Sequence, residues 1–139
     1  MTAVMALMMA FVACKKDKND SNSSGGKLSP PSWIRGVWEH RYADADGYIS
    51  FEFTSNDIVE TVCSDMDVIV LTFSSVNRPN TGMSADETIK TDDIYEVTLT
   101  QQYAPDDYSN VVCHFKKGDG SYIDFDENVS GISYRLNKK

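Results

Sequence analysis

Residues 47–54 read Gly-Tyr-Ile-Ser-Phe-Glu-Phe-Thr, with Ile49, Phe51 and Phe53 at every second position and Tyr48, Ser50 and Glu52 between them. Successive side chains of a β-strand point to opposite faces, so this spacing predicts a strand with one apolar and one polar face. On a helix Phe51 would sit about 200° round from Ile49, and no apolar stripe would form. The same alternation returns in residues 94–100 (Tyr95, Val97, Leu99), 111–117 (Val111, Cys113, Phe115) and 132–136 (Ile132, Tyr134, Leu136). Residues 57–63 and 68–73 are β-branched and apolar enough to be strands covered on both faces. Residues 38–43 and 122–125 complete a set of about eight.

Between these runs stand Asp46-Gly47, Ser55-Asn56, Ser64-Asp65 and Gly118-Asp119-Gly120, the residue types of tight hairpin turns. Only residues 76–93 make a longer excursion, in which Ser84-Ala85-Asp86-Glu87 has the pattern of a helix start. Sequential hairpins predict an all-β, antiparallel, up-and-down barrel, which closes on itself and leaves no edge exposed. A two-sheet β-sandwich is the alternative.

The first 27 residues have a different composition. Residues 1–13 are apolar apart from Thr2 and carry no charge. As a helix they would span roughly 20 Å, too short for a hydrocarbon core of about 30 Å. That length suits the apolar region of a signal peptide, and the lack of a basic residue before it predicts that translation begins upstream of Met1. The run ends Phe11-Val12-Ala13-Cys14, which resembles the bacterial lipobox. The resemblance implies cleavage before Cys14, acylation of that cysteine, and export to the cell envelope. Lys15 after the cysteine, in the same resemblance, points to the outer membrane. Residues 15–27 hold no aliphatic or aromatic side chain, so nothing offsets their chain entropy. Residues 14–32 are therefore expected to be a flexible tether from the lipid to a domain spanning residues 33–139. Several acyl chains anchor firmly where one does not.

Four of the 13 basic and two of the 21 acidic residues lie in the first 27 positions, leaving 9 against 19 in residues 28–139, a net of −10. So acidic a domain repels phosphate backbones, which argues against nucleic-acid partners. Chemistry-bearing motifs are few. There is no Gly-x-Ser-x-Gly, Walker loop or His-Glu-x-x-His, and His40 and His114 are the only histidines. The sequence thus predicts a non-enzymatic protein with no cofactor and no metal. Asp44-Ala45-Asp46-Gly47 has the middle of a calcium loop, but aligning Gly47 with that loop's glycine puts Tyr42 and Phe53 where acidic ligands belong. The acidic loops elsewhere show no spacing that singles out a cation site. Cys63 and Cys113 lie in a chain expected to be exported, where a bridge and two buried free thiols are both open.

Trp33-Ile34-Arg35-Gly36-Val37-Trp38 resembles the opening of a lipocalin-like (calycin) barrel, a short 3₁₀ turn followed by Gly-x-Trp on the first strand. Small lipocalin-like lipoproteins of Gram-negative bacteria are the nearest likeness. The resemblance implies that Gly36 lets the backbone pass close under the barrel floor and that Trp38 plugs it. It also implies a basic residue late in the last strand packed across that tryptophan, for which Arg135 is the only late arginine. The interior residues expected to meet a ligand are Trp38, Phe51, Phe53, Tyr95, Val97, Leu99, Phe115 and Tyr134. Such a barrel either holds one small molecule or is filled by its own side chains. The resulting expectation is a membrane-anchored lipocalin-like lipoprotein that binds a small apolar ligand or acts in envelope assembly. The alternative is a β-sandwich module recognising a protein or glycan through its surface, with Tyr103 and Tyr108 as its exposed aromatics.

Overall fold

The computed structural model describes residues 28–43, 46–76 and 82–139. The expected signal segment, Cys14 and the part of the expected tether through Lys27 lie outside them. The described chain is all-β. Nine antiparallel strands run β1 Gly36–Arg41, β2 Tyr48–Phe53, β3 Ile58–Cys63, β4 Val68–Thr72, β5 Met83–Lys90, β6 Ile94–Ala104, β7 Asp107–Lys117, β8 Tyr122–Glu127 and β9 Ser133–Lys138. They form one sheet in the order β4-β3-β2-β1-β9-β8-β7-β6-β5, strongly curled into a half-barrel. Every strand but the last pairs with its successor, except at the β4–β5 break, and β1 meets β9 through Trp38↔Lys138 and Glu39↔Asn137. A single continuous sheet replaces the two-sheet sandwich.

The alternating residues decide which face curls inward. Ile49, Phe51 and Phe53 are buried, and their antiparallel partners share their face: Trp38 on β1, Glu60 and Ile58 on β3. Curling brings β2 over the far side of the sheet. Phe51 contacts Phe115 edge-on at 5.0 Å and Phe125 at 4.9 Å, while Phe53 meets Phe115 at 5.0 Å and Tyr95 at 6.3 Å. Edge-to-face rings at these separations add directional attraction to the large apolar area they bury.

One end of the half-barrel is shut. Leu28 and Ile34 are buried beneath it, and Trp38 Nε1 donates to the Ile34 carbonyl at 2.6 Å. Gly36 adopts φ +123°, a backbone conformation that side chains resist, which allows the chain to turn from the 3₁₀ turn Ser32–Ile34 into β1. Ser29 is tied by its backbone N–H and its hydroxyl to Glu87, which also accepts from the Tyr95 hydroxyl at 2.8 Å. Burial first, and then Glu87, push the Tyr95 phenol above its ordinary pKa. Residues 28–32 thus belong to the folded domain rather than to the tether, because Leu28 and Ser29 dock on β5 and the core.

Several expectations are corrected. The described residues form nine strands where about eight were expected, and the helix start expected at residues 84–87 is instead strand: residues 83–90 form β5 because Ala85 and Glu87 pair with Leu99 and Val97, a cross-strand fit that overrides the local pattern. The barrel does not close at every strand. The 3₁₀ turn Phe73–Val76 sits between β4 and β5, buries Phe73 and Val76, and is held by Asp57, which accepts from the backbone N–H and the hydroxyl of Ser74. β4 is therefore an edge strand, and Val68, Ile69 and Val70 are exposed rather than covered. The basic group over the Trp38 ring is Lys138, at 5.4 Å, while Arg135 lies on the outer face 3.7 Å from the Tyr122 ring and beside Asp124. Period-two register is the reason: Lys138 shares the face of Leu136 and Tyr134, and Arg135 does not.

Phe115→Ala is expected to cost about 3–5 kcal/mol in urea unfolding, since three rings lose a partner in a filled core. Val70→Thr on the exposed edge should change stability by less than about 0.5 kcal/mol.

Candidate functional site

Most of the interior residues expected to meet a ligand meet one another instead. Trp38, Phe51, Phe53, Tyr95, Val97, Leu99 and Phe115 are all buried, and together they fill the shut half of the barrel. Tyr134 is different. It lies opposite Phe125, is only partly buried, and faces the other end of the half-barrel.

That end is built from polar residues on the inward face. Glu60 stands in the middle of β3, opposite Phe51 and Leu71. Glu127 ends β8 opposite Cys113 of β7. Tyr42 follows β1 and is turned back by its N–H donating to the Gly47 carbonyl at 3.1 Å. A side chain on Gly47 would lie 2.9 Å from the Cys63 carbonyl and 3.2 Å from the Tyr42 ring, so glycine is what lets the backbone pass this close to the end of β3. His40 lies between two tyrosines, its ring 5.4 Å from both Tyr42 and Tyr134, and its Nδ1 donates to the Arg135 carbonyl at 3.0 Å.

The electrostatics of this chamber are unbalanced. Glu60 is 5% exposed, yet its carboxylate has no hydrogen-bond or ion-pair partner among the described residues, and neither does that of Glu127. Among the described residues no fully occluded side-chain nitrogen or oxygen lacks a partner, so the Glu60 oxygens keep some exposed surface. Burial, and then the charge of Glu127, push the Glu60 carboxyl up to about 7. Burial raises Glu127 as well. The Tyr42 phenol rises through burial and the neighbouring Tyr134, Glu60 and Glu127. Burial, and then the charges of Glu60 and Glu127, hold the Cys113 thiol well above its ordinary range. A thiol held protonated in a negative field is no nucleophile.

Glu39, on the outer face of β1, shows the contrast. It is 8% exposed, but Arg41 Nε and Lys139 Nζ reach its two oxygens at 2.8 and 2.7 Å. Burial alone would raise its carboxyl, and these partners hold it below the usual value instead. A groove of about 440 Å³ runs along this seam, lined by Glu39, His40, Arg41, Arg135, Asn137, Lys138 and Lys139. Much of its charge is already satisfied by Glu39 and Asp124.

Cys63 and Cys113 are free thiols, so the bridge held open from the sequence is absent. Cys63 lies on the outward face opposite Tyr48 and Cys113 on the inward face, on strands that do not pair. Among the described residues no three of His, Cys, Asp and Glu are grouped to hold a metal ion. Glu60, Glu127, Tyr42 and His40 were not among the residues expected from the sequence. One signal was there: Glu60 is the lone charge in the apolar run 58–63. No protein-family model, curated protein or solved structure matches the chain.

Because the Glu60 carboxyl is raised from 4.5 to about 7 on folding, its ionisation opposes the fold. The stability it retains below pH 4.5 falls as pH rises through about 7, by on the order of 3 kcal/mol if uncompensated. Glu60→Gln should therefore flatten urea midpoints between pH 5 and 8 and gain most at the alkaline end. A midpoint difference independent of pH would contradict this ionisation.

Proposed function

We propose that this chain is a non-enzymatic binding protein of the cell envelope, tethered through a lipid on Cys14, which receives a small molecule in the open end of its half-barrel. The observation that carries the binding reading is Glu60, a largely buried carboxylate that has no hydrogen-bond or ion-pair partner among the described residues and keeps some exposed surface. Natural interiors satisfy such groups, and a site that leaves one bare in the free protein is arranged for an occupant. The filled aromatic half supplies a rigid floor, and His40, Tyr42 and Tyr134 supply the walls. A purely apolar ligand fits poorly here, since it would seal two carboxylates away from water without compensation. The chamber belongs to polar ligands with an apolar or aromatic side.

The envelope address rests on the lipobox-like Phe11-Val12-Ala13-Cys14 and the polar tract behind it. Lys15 favours the outer membrane in that reading. Fold alone assigns neither address nor ligand.

A second reading has its own support. Met66, Tyr103, Tyr108, Val129 and Ile132 are exposed on turns and strand ends around the open end, Val68, Ile69 and Val70 are exposed along edge strand β4, and Ile89 is exposed near the shut end. Exposed apolar groups concentrated in this way mark surfaces that meet a protein or glycan.

Native mass spectrometry of the chain purified from a bacterial envelope should show an adduct of a few hundred daltons that is lost on denaturation. A clean apo mass, with a protein or glycan captured through Tyr103 and Tyr108, would replace the chamber reading with the surface one. Cys14→Ala should abolish metabolic labelling with radiolabelled palmitate, and unchanged labelling would remove the anchor.

A further inference from the structure

The chamber contains two carboxylates and no countercharge among the described residues. Six basic side chains of the described domain are engaged elsewhere. Arg41 and Lys139 are bound to Glu39, Arg135 to Asp124 and Tyr122, and Lys138 to the Trp38 ring at the shut end. Lys90 reaches Ser29 and Glu87, and Lys117 lies over Trp33. The walls are the faces and edges of Tyr42, Tyr134 and His40, with both tyrosines 5.4 Å from the His40 ring. None of the side chains of Glu60, Glu127, Tyr42 and Tyr134 makes a hydrogen bond among the described residues.

We propose that the occupant of this chamber is a small organic cation, a protonated or quaternary amine, held by Glu60 and Glu127 against the Tyr42 and Tyr134 rings. The inference rests on the chamber being a ligand site and names the chemistry of that ligand. An ammonium group supplies the missing countercharge. Its N–H or N–CH groups meet carboxylate oxygens on one side and aromatic faces on the other, the two surroundings that recognise such ions. A carboxylate or phosphate ligand would meet repulsion from both glutamates. A bare divalent ion would find two carboxylates where it wants six or more oxygens, and among the described residues no third acidic or imidazole ligand is grouped with them. The acidic balance of the domain acts in the same direction at longer range, since a negative surface draws cations toward its clefts. The raised Glu60 carboxyl fits this account, because a cation bound beside it would restore its ordinary acidity.

Isothermal titration of the full chain in detergent micelles tests this, with n-butylammonium, tetramethylammonium, 1-butanol and butyrate as probes. Saturable binding of either ammonium ion is expected, with no heat from butyrate and much weaker binding of butanol. Glu60→Gln keeps the shape of the side chain and should weaken the ammonium ions about tenfold or more. Glu127→Gln, more exposed, should weaken them in the same direction and serves if Glu60→Gln does not fold. Butanol or butyrate binding as well as the ammonium ions, or ammonium binding unchanged in both variants, would overturn the amine assignment and leave the chamber as a site for another ligand. No binding by any of the four probes at millimolar concentration would overturn the assignment and remove the chamber reading with it.

Discussion

Everything in this fold depends on four phenylalanine rings meeting across the inside of a curled sheet. Phe51 and Phe53 come from β2, Phe115 from β7 and Phe125 from β8, and their centroids lie 4.9–6.1 Å apart. β2 and β7 stand four places apart in the sheet order. Only a sheet rolled on itself brings them together, so curvature and core are one constraint. Because the rings fill the middle of the half-barrel, they also divide it into two ends with separate chemistry.

At the shut end polar groups are paired as they are buried. Trp38 donates to Ile34, Tyr95 and Ser29 share Glu87, and Asp57 holds the 3₁₀ turn that fills the space between β4 and β5. At the other end the pairing stops. Glu39 and Glu60 both expose little surface, on opposite faces of the sheet, and among the described residues one has two cations while the other has none. A buried ion without a partner is among the more costly things a small domain can keep, of the order of several kcal/mol.

Much of the architecture was legible in the sequence. The alternation at Ile49, Phe51 and Phe53 named the strand, its inward face and half of the ring cluster, since a period of two has only one structural meaning over that length. The hairpin turns followed from Asp46-Gly47 and Gly118-Asp119-Gly120. Less legible was β5, where Ser84-Ala85-Asp86-Glu87 carries helix-like local preference and the strand exists because β6 is there to pair with. The edge character of β4 was also hidden. Val68, Ile69 and Val70 have the composition of a covered strand, and only the break in pairing after Thr72 exposes them.

The candidate site was the least legible part, for a physical reason. Sequence by itself determined the all-β class, the inward register of most strands, the polar tract ahead of the domain and the acidic balance, because these follow from local periodicity and composition. It also flagged Tyr134 as an inward residue. Only the tertiary structure placed Glu60 and Glu127, which are 67 positions apart in the chain, in one chamber with Tyr42 and Cys113. It alone set Lys138 rather than Arg135 over Trp38 and held Cys63 and Cys113 on opposite faces of the sheet. Each of these depends on which non-local strands the curling sheet brings face to face, and no window of sequence contains that information.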